Sequence, residues 1–156
     1  MQEGEYCSVN AHETINDILV HLFNEIWELE EEAIITDEYK DISNNDMHII
    51  EAVGLGDDST MSAVAKRLGI TAGSLTTSIN SLVNKKYVTR TRSEADRRVV
   101  YIRLTEKGRG AYLHHQDFHM QMTDAVIGSL DDKEIPVLLK TLDSLSKFFR
   151  NYKERE

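Results

Sequence analysis

Apolar residues along the first thirty-odd positions recur at steps of three and four: Ile15, Ile18, Leu19, Leu22, Ile26, Leu29 and Ala33. That spacing lays them along one stripe of a long amphipathic helix. The same period returns at the other end in Ile135, Leu138, Leu139, Leu142, Leu145, Phe149 and Tyr152. There Asp131 can cap the helix, Glu134 completes a capping-box-like start, and Pro136 sits where a missing N–H costs least. Between the two stripes the elements shorten. Ser43 can cap a helix through Met47, Ile50 and Val53 that stops near Gly54 and Gly56, and Thr60 can cap another from Met61 to Leu68 ended by Gly69. Thr71 can cap a third, from Ala72 to about Lys86. The period then changes to two, and Tyr87–Arg92 and Arg98–Leu104 read as strands around a polar tip, Ser93–Arg97. Thr105 can cap a long helix through the histidine-rich segment to about Ser129.

Two short helices joined by a glycine-containing turn, followed by a hairpin, form the pattern of a winged helix-turn-helix. The expected class is α+β, mainly α: a winged helix-turn-helix with long N- and C-terminal helices forming a homodimer. A single domain spans 1–156. Residues 43–104 make up the DNA-binding part, and 11–35 and 105–154 the dimerisation helices. A small wing domain cannot cover both long apolar stripes, so an isologous dimer is expected to bury them. The competing reading of the same pattern is a helical bundle carrying an incidental hairpin.

Charge changes this picture. The chain carries a formal net charge of −9, which argues against a polyanionic partner until its distribution is considered. From Thr60 to Gly110 there are eleven Lys and Arg against three acids, a local +8 within a chain whose remainder is −17. Screening limits exposed charges to about 8–10 Å, so the middle third can attract DNA while the two ends cannot. In the second short helix Leu75, Ile79, Leu82 and Val83 are expected to face inward. The opposite face holds Gly73, Thr77, Asn80, Ser81 and Asn84, flanked by Ser74 and Thr76. This face is small, polar and uncharged, which suits close approach to base edges and phosphates. The helix start at Thr71 adds free N–H groups. Arg90, Arg92, Arg97 and Arg98 cluster on the hairpin, where an arginine can enter a narrow minor groove. Asp96 is expected to orient Arg97 or Arg98, and Lys85 to contact phosphate.

The run Asp96-Arg97-Arg98-Val99-Val100 followed by Leu104-Thr105-Glu106-Lys107-Gly108 resembles the wing and post-wing signature of the MarR family of bacterial regulators, a resemblance extending over nearly the whole chain. Asp41-Ile42-Ser43, Met47-His48, Gly73-Ser74-Leu75-Thr76-Thr77-Ser78, Arg92-Ser93-Glu94 and Phe118-His119 are similar to the branch that represses fatty-acid synthesis genes, the FabT-like repressors. The resemblance implies a repressor whose binding to a palindromic double-stranded operator is strengthened by long-chain acyl groups on acyl carrier protein. If an acyl chain enters the fold, Leu22, Ile26, Phe118, Met122 and Val126 are candidates to line its path.

No cofactor is required by this reading. His115 and His119 lie one helical turn apart, and with His48 they form an alternative zinc site of a kind used by some MarR-type sensors; the competing reading makes them neutral core histidines. Glu28, Glu30, Glu31 and Glu32 read as a solvated helix face. Cys7 is the only cysteine and cannot form an intramolecular disulfide; with no apolar leader at the N-terminus, a reducing cytoplasm is expected. No apolar run approaches the ~20 residues of a membrane span. No GxSxG, GxxxxGK[ST] or GxGxxG motif is present, so an enzyme is not expected. A protein-interaction module without DNA binding is the rival of another class.

Overall fold

The computed structural model describes residues 10–34 and 36–153. Among these residues six helices and two strands follow in the order α1 (Ala11–Ile34), α2 (Asn44–Val53), α3 (Met61–Leu68), α4 (Ala72–Asn84), β1 (Val88–Arg92), β2 (Val100–Leu104), α5 (Glu106–Gly128) and α6 (Glu134–Lys153). They group into two compact units, one ending at His115 and the other starting at Gln116, so that the division falls within α5.

Caps set the helix boundaries of the first unit. The Ser43 hydroxyl accepts from the Asp46 N–H while the Asp46 carboxylate accepts from the Ser43 N–H, a reciprocal capping box. Thr60 and Thr71 cap α3 and α4 by accepting from the N–H of Ala63 and Ser74. Helices α2 and α3 stop at Gly54 (φ 72) and Gly69 (φ 65), where a side chain would be strained. Helix α4 ends differently: Lys86 takes φ 66 without being glycine. Its carbonyl accepts from the Thr105 hydroxyl at 2.6 Å, which helps hold the turn in this uncommon conformation.

The core is formed by α2, α3 and α4 closing over the hairpin. Met47, Ile50, Val64, Leu75, Ile79, Leu82, Tyr87 and Ile102 are completely inaccessible. Strands β1 and β2 pair antiparallel, Val88 opposite Leu104 and Arg92 opposite Val100. An isolated bridge of Thr60 with Tyr101, and the Ile102 N–H donating to the Ser59 carbonyl at 2.7 Å, attach the edge of the sheet to the start of α3. The strands are shorter than the sequence suggested, because residues 93–99 are taken up by the turn. Val83 also departs from expectation, being 37% exposed at the rim; one position beyond Leu82 is a 100° rotation away from the core.

The first turn of α5 packs against the backbone that joins α4 to β1. The Thr105 N–H donates to the Tyr87 carbonyl at 2.9 Å, and the Thr105 hydroxyl accepts from the Gly108 N–H. A Cβ on Gly108 would lie 2.0 Å from the Tyr87 carbonyl oxygen, so no larger residue fits without moving the wing.

In the second unit, the rest of α5 and α6 are joined by a turn that Asp131 organises. Its carboxylate accepts from the N–H of Lys133 and Glu134, and its own N–H donates to the Glu134 carboxylate at 2.9 Å. The Asp131–Glu134 start read from the sequence is therefore present. Among the described residues no helix is long and apolar enough to cross a membrane.

Gly108→Ala should destabilise the fold by about 1–3 kcal/mol, the usual cost of overpacking. Gly128→Ala, with no atom near its added Cβ, should be neutral or slightly stabilising. Chemical denaturation of the two variants checks this contrast.

Candidate nucleic-acid interface

Helix α4 buries Leu75, Ile79 and Leu82 and leaves Thr71, Gly73, Ser74, Thr76, Thr77, Asn80 and Asn84 exposed, as the helix period requires, with Ser81 half-buried. The hydroxyls on this face are held by the helix itself. Thr76 donates to the Ala72 carbonyl at 2.7 Å, Thr77 to the Gly73 carbonyl at 3.4 Å, and the Thr71 and Ser74 hydroxyls lie 2.9 Å apart. Each oxygen keeps acceptor capacity toward a partner, and its donated proton sits on a bond that can be exchanged. Gly73 serves no internal packing need: its added Cβ would meet only the Thr71 hydroxyl, at 3.9 Å.

The hairpin carries Arg90, Arg92, Arg97 and Arg98, all exposed. Arg90 Nη1 donates to Asn80 Oδ1 at 3.1 Å, tying wing to helix face. Asp96, expected to orient Arg97 or Arg98, engages Arg98 through its backbone. Its carboxylate accepts from the backbone N–H of Arg98 at 2.9 Å, its carbonyl accepts from the Val99 N–H, and its own N–H donates to the Ser93 hydroxyl. Asp96 therefore shapes the tip that presents the arginines. This is the common use of an aspartate in a turn, where its carboxylate captures an N–H two residues on.

Lys85 also departs from expectation. Its ammonium pairs with the Asp46 carboxylate at 2.8 Å, so it is engaged within the chain rather than held out toward a phosphate. Beside it lies a cluster that sequence reasoning missed. Tyr87 is fully buried, yet its hydroxyl donates to Asp41 Oδ1 at 2.6 Å. Lys107 Nζ lies 3.0 Å from Asp41 Oδ2, donates to the Lys85 carbonyl, and sits 4.0 Å from the centre of the Tyr87 ring. Burial pushes the Asp41 carboxyl up, but hydrogen bonds from Tyr87 and Lys107, with the charge of Lys107, outweigh it and hold the group below its ordinary value of 3.8. Burial, then the hydrogen bond to and the charge of Asp41, push the Tyr87 phenol well above 10.0. Only the tyrosine at a strand start and the Asp41-Ile42-Ser43 run hinted at this cluster, since its partners lie far apart in sequence.

The histidines divide between the units. His115 is buried at 2% exposure, with Nε2 3.4 Å from Glu30 Oε1, and its ring is 6.1 Å from that of His48. Glu30 was expected on a solvated face but is 5% exposed and accepts from Asn44 Nδ2; Glu28, Glu31 and Glu32 are exposed. The reason is rotational: Glu30 lies one turn from Ile26, on the side of α1 that meets α2. Ligand atoms of Glu30, His48 and His115 all lie within 4.8 Å of one another. His114 Nε2 is 2.8 Å from the Ala33 carbonyl. His119 lies in the second unit, as do the effector candidates Phe118 and Met122, both half-buried, and Val126, which is exposed; Leu22 and Ile26 belong to α1 in the first unit. Cys7 lies outside the described residues.

The MarR family profile matches residues 40–99, which span the helix-turn-helix and most of the wing. The chain is 40% identical to Streptococcus pneumoniae FabT, solved in complex with DNA, with a TM-score of 0.83 over 90% of this chain and 98% of that one. The chain belongs to the MarR family. S. aureus MepR, also solved with DNA, shares the fold at a TM-score of 0.68 and 19% identity, over 86% of this chain and 97% of that one. The Bacillus subtilis HTH-type transcriptional regulator YpoP is 28% identical over 111 residues, 69% of this chain and 77% of the relative. The protein is thus a DNA-binding transcriptional regulator of MarR type, not an enzyme, and α4 with the β1–β2 wing is its candidate interface.

Gly73→Ala should leave stability unchanged or raise it by up to about 1 kcal/mol, because alanine is the better helix former. It should weaken DNA binding by filling the space a phosphate or base edge needs, and melting curves with a binding titration read both. For Asp41 the folded-state pKa is depressed, so its contribution is present above pH 3.8 and lost as pH falls through the folded value. Asp41→Asn should accordingly flatten the acid side of the stability profile, measured by denaturation at stepped pH.

Proposed function

We propose that this regulator is a homodimeric repressor of fatty-acid biosynthesis genes, working in the cytoplasm, whose binding to a short palindromic operator is tightened by long-chain acyl groups on acyl carrier protein. The observation that carries the proposal is the 40% identity to FabT over 98% of that chain, coupled with the basic wing and the uncharged α4 face. In this reading Thr71, Gly73, Ser74, Thr76, Thr77 and Asn80 approach the major groove. Arg92, Arg97 and Arg98, positioned by Asp96, reach the flanking minor groove. Lys85 serves through its contact with Asp46 more than through phosphate.

Dimerisation is supported by apolar side chains left in the open on the terminal helices. On α1, Ile15, Ile18, Leu22, Phe23, Trp27 and Leu29 are each at least 45% exposed; on α6, Leu139, Leu142, Phe149 and Tyr152 are each at least 51% exposed. A monomer rarely leaves so many large apolar groups in water. Isologous burial of these helices would place two readers about one DNA turn apart. Leu22, Ile26, Phe118, Met122 and Val126 remain the candidates for an acyl path.

A zinc-responsive regulator is the second reading, favoured by the gathering of Glu30, His48 and His115. One carboxylate and two imidazoles suit zinc. Within the first unit Glu30, rather than His119, joins the two histidines predicted as ligands.

Titration of a palindrome upstream of fatty-acid synthesis genes tests the proposal, with and without long-chain acyl–acyl carrier protein, and again with zinc. Tighter binding with the acyl carrier is expected. Enhancement by zinc alone would favour the second reading. Joint replacement of Arg97 and Arg98 by alanine should abolish operator binding while the dimer persists in sedimentation. Wild-type protein that binds no duplex at any salt would overturn the proposal in favour of a protein-interaction module.

A further inference from the structure

The reading helix and the wing are joined by the three-residue turn Lys85–Tyr87, between α4 and β1. Groups from both sides converge on this turn. Asp41, from the segment between α1 and α2, accepts from the Tyr87 hydroxyl at 2.6 Å. Lys107, from the first turn of α5, reaches both Asp41 oxygens, at 3.0 and 3.3 Å, and donates to the Lys85 carbonyl at 3.3 Å. The same ammonium lies over the Tyr87 ring, 4.0 Å from its centre. Asp46 of α2 holds the Lys85 side chain, and Thr105 holds the carbonyls of Lys86 and Tyr87. The Asp41–Lys107 pair is 36–44% exposed, and exposed ion pairs add little to stability. Beyond its own pairing it makes three contacts, two of them to the fully buried Tyr87, and these also act on geometry.

We propose that Asp41, Tyr87 and Lys107 form a clamp that sets the angle between α4 and the wing, making them positioning residues for operator specificity that touch no DNA. The clamp explains why an acid is retained beside a basic reading surface, where electrostatics alone would favour its loss. It explains why a lysine in the basic span is turned inward onto a carboxylate and a carbonyl. Arg90 on Asn80 is a second brace between helix and wing, and the clamp acts at the end of α4, on the turn that leads into β1.

The proposal rests on the DNA-binding reading, and the test separates the two. The probes are an operator selected by the wild-type protein from random duplexes and a scrambled duplex of equal length. Asp41→Asn, which removes the charge that holds Lys107, and Tyr87→Phe, which removes the hydroxyl that Asp41 holds, should each reduce the preference for operator over scrambled duplex about tenfold, the equivalent of one lost hydrogen bond to a charged group. Affinity for the scrambled duplex should not fall, and for Asp41→Asn it should rise slightly. Lys107→Gln should lose the same preference without changing the salt dependence on scrambled duplex, and Lys107→Arg should restore it. Equal tightening on both duplexes by Asp41→Asn would overturn the clamp in favour of simple charge removal. A fall of about 0.9 in the salt slope of Lys107→Gln would overturn it in favour of a direct phosphate contact. Wild-type preference in Tyr87→Phe, which keeps the buried ring and so the fold, would overturn it outright. Wild-type protein that selects no operator would instead sink the DNA-binding reading, and the clamp with it.

Discussion

The reading surface depends on one contact, that of Thr105 with the carbonyls of Lys86 and Tyr87. The Tyr87 carbonyl receives both the N–H and the hydroxyl of Thr105, and the approach is so close that only a glycine fits at position 108. The contact fastens the end of the reading helix, the root of the wing and the start of α5 at one point. Everything that can meet DNA hangs from it: α4 on one side, the β1–β2 hairpin on the other. The side chain of Tyr87 goes the opposite way, into the core with Met47, Ile79 and Leu82, so a single residue joins the apolar interior to the backbone brace. The left-handed Lys86 is tolerated because its carbonyl is held by Thr105 rather than left to solvent.

Around this point the charges are sorted by role. Three aspartates near the reading surface are occupied: Asp41 by Tyr87 and Lys107, Asp46 by the Ser43 N–H and Lys85, Asp96 by the turn backbone. The charge of these three is thereby offset or converted into architecture. Arg92, Arg97 and Arg98 are left on the exposed hairpin as the cations best placed to meet a polyanion. A chain of net charge −9 thus works as a DNA-binding regulator, because screening makes the local surface count for more than the total.

The terminal helices pose a different physical problem. They keep large apolar side chains in water, a liability for a monomer and an asset for the proposed dimer. Within α1 the same helix buries one acid, Glu30, against Asn44 and His115. A single heptad of this helix therefore carries a solvated acidic face, an apolar face and a buried carboxylate. Ordering by hydropathy cannot separate these, because a glutamate reads the same whether it faces water or a histidine.

Sequence alone determined the elements whose causes are local. Ser43, Thr60, Thr71 and Asp131 each cap the helix that follows, Gly54 and Gly69 end helices, and the change from period 3.6 to period 2 marks the wing; such signals act over a few residues and need no knowledge of the rest of the chain. The polar face of α4 and the basic middle third followed from the same one-dimensional pattern, and the Asp96-to-Gly108 run identified the family. What only the tertiary structure decided were the partners across long separations: Lys85 with Asp46, Tyr87 and Lys107 with Asp41, Arg90 with Asn80, Glu30 with His115. A charged or polar side chain has many partners available in sequence, and the choice among them is made by which elements the apolar core brings within about 3 Å. That is why Lys85 and Glu30 were read as surface groups and proved to be engaged within the fold.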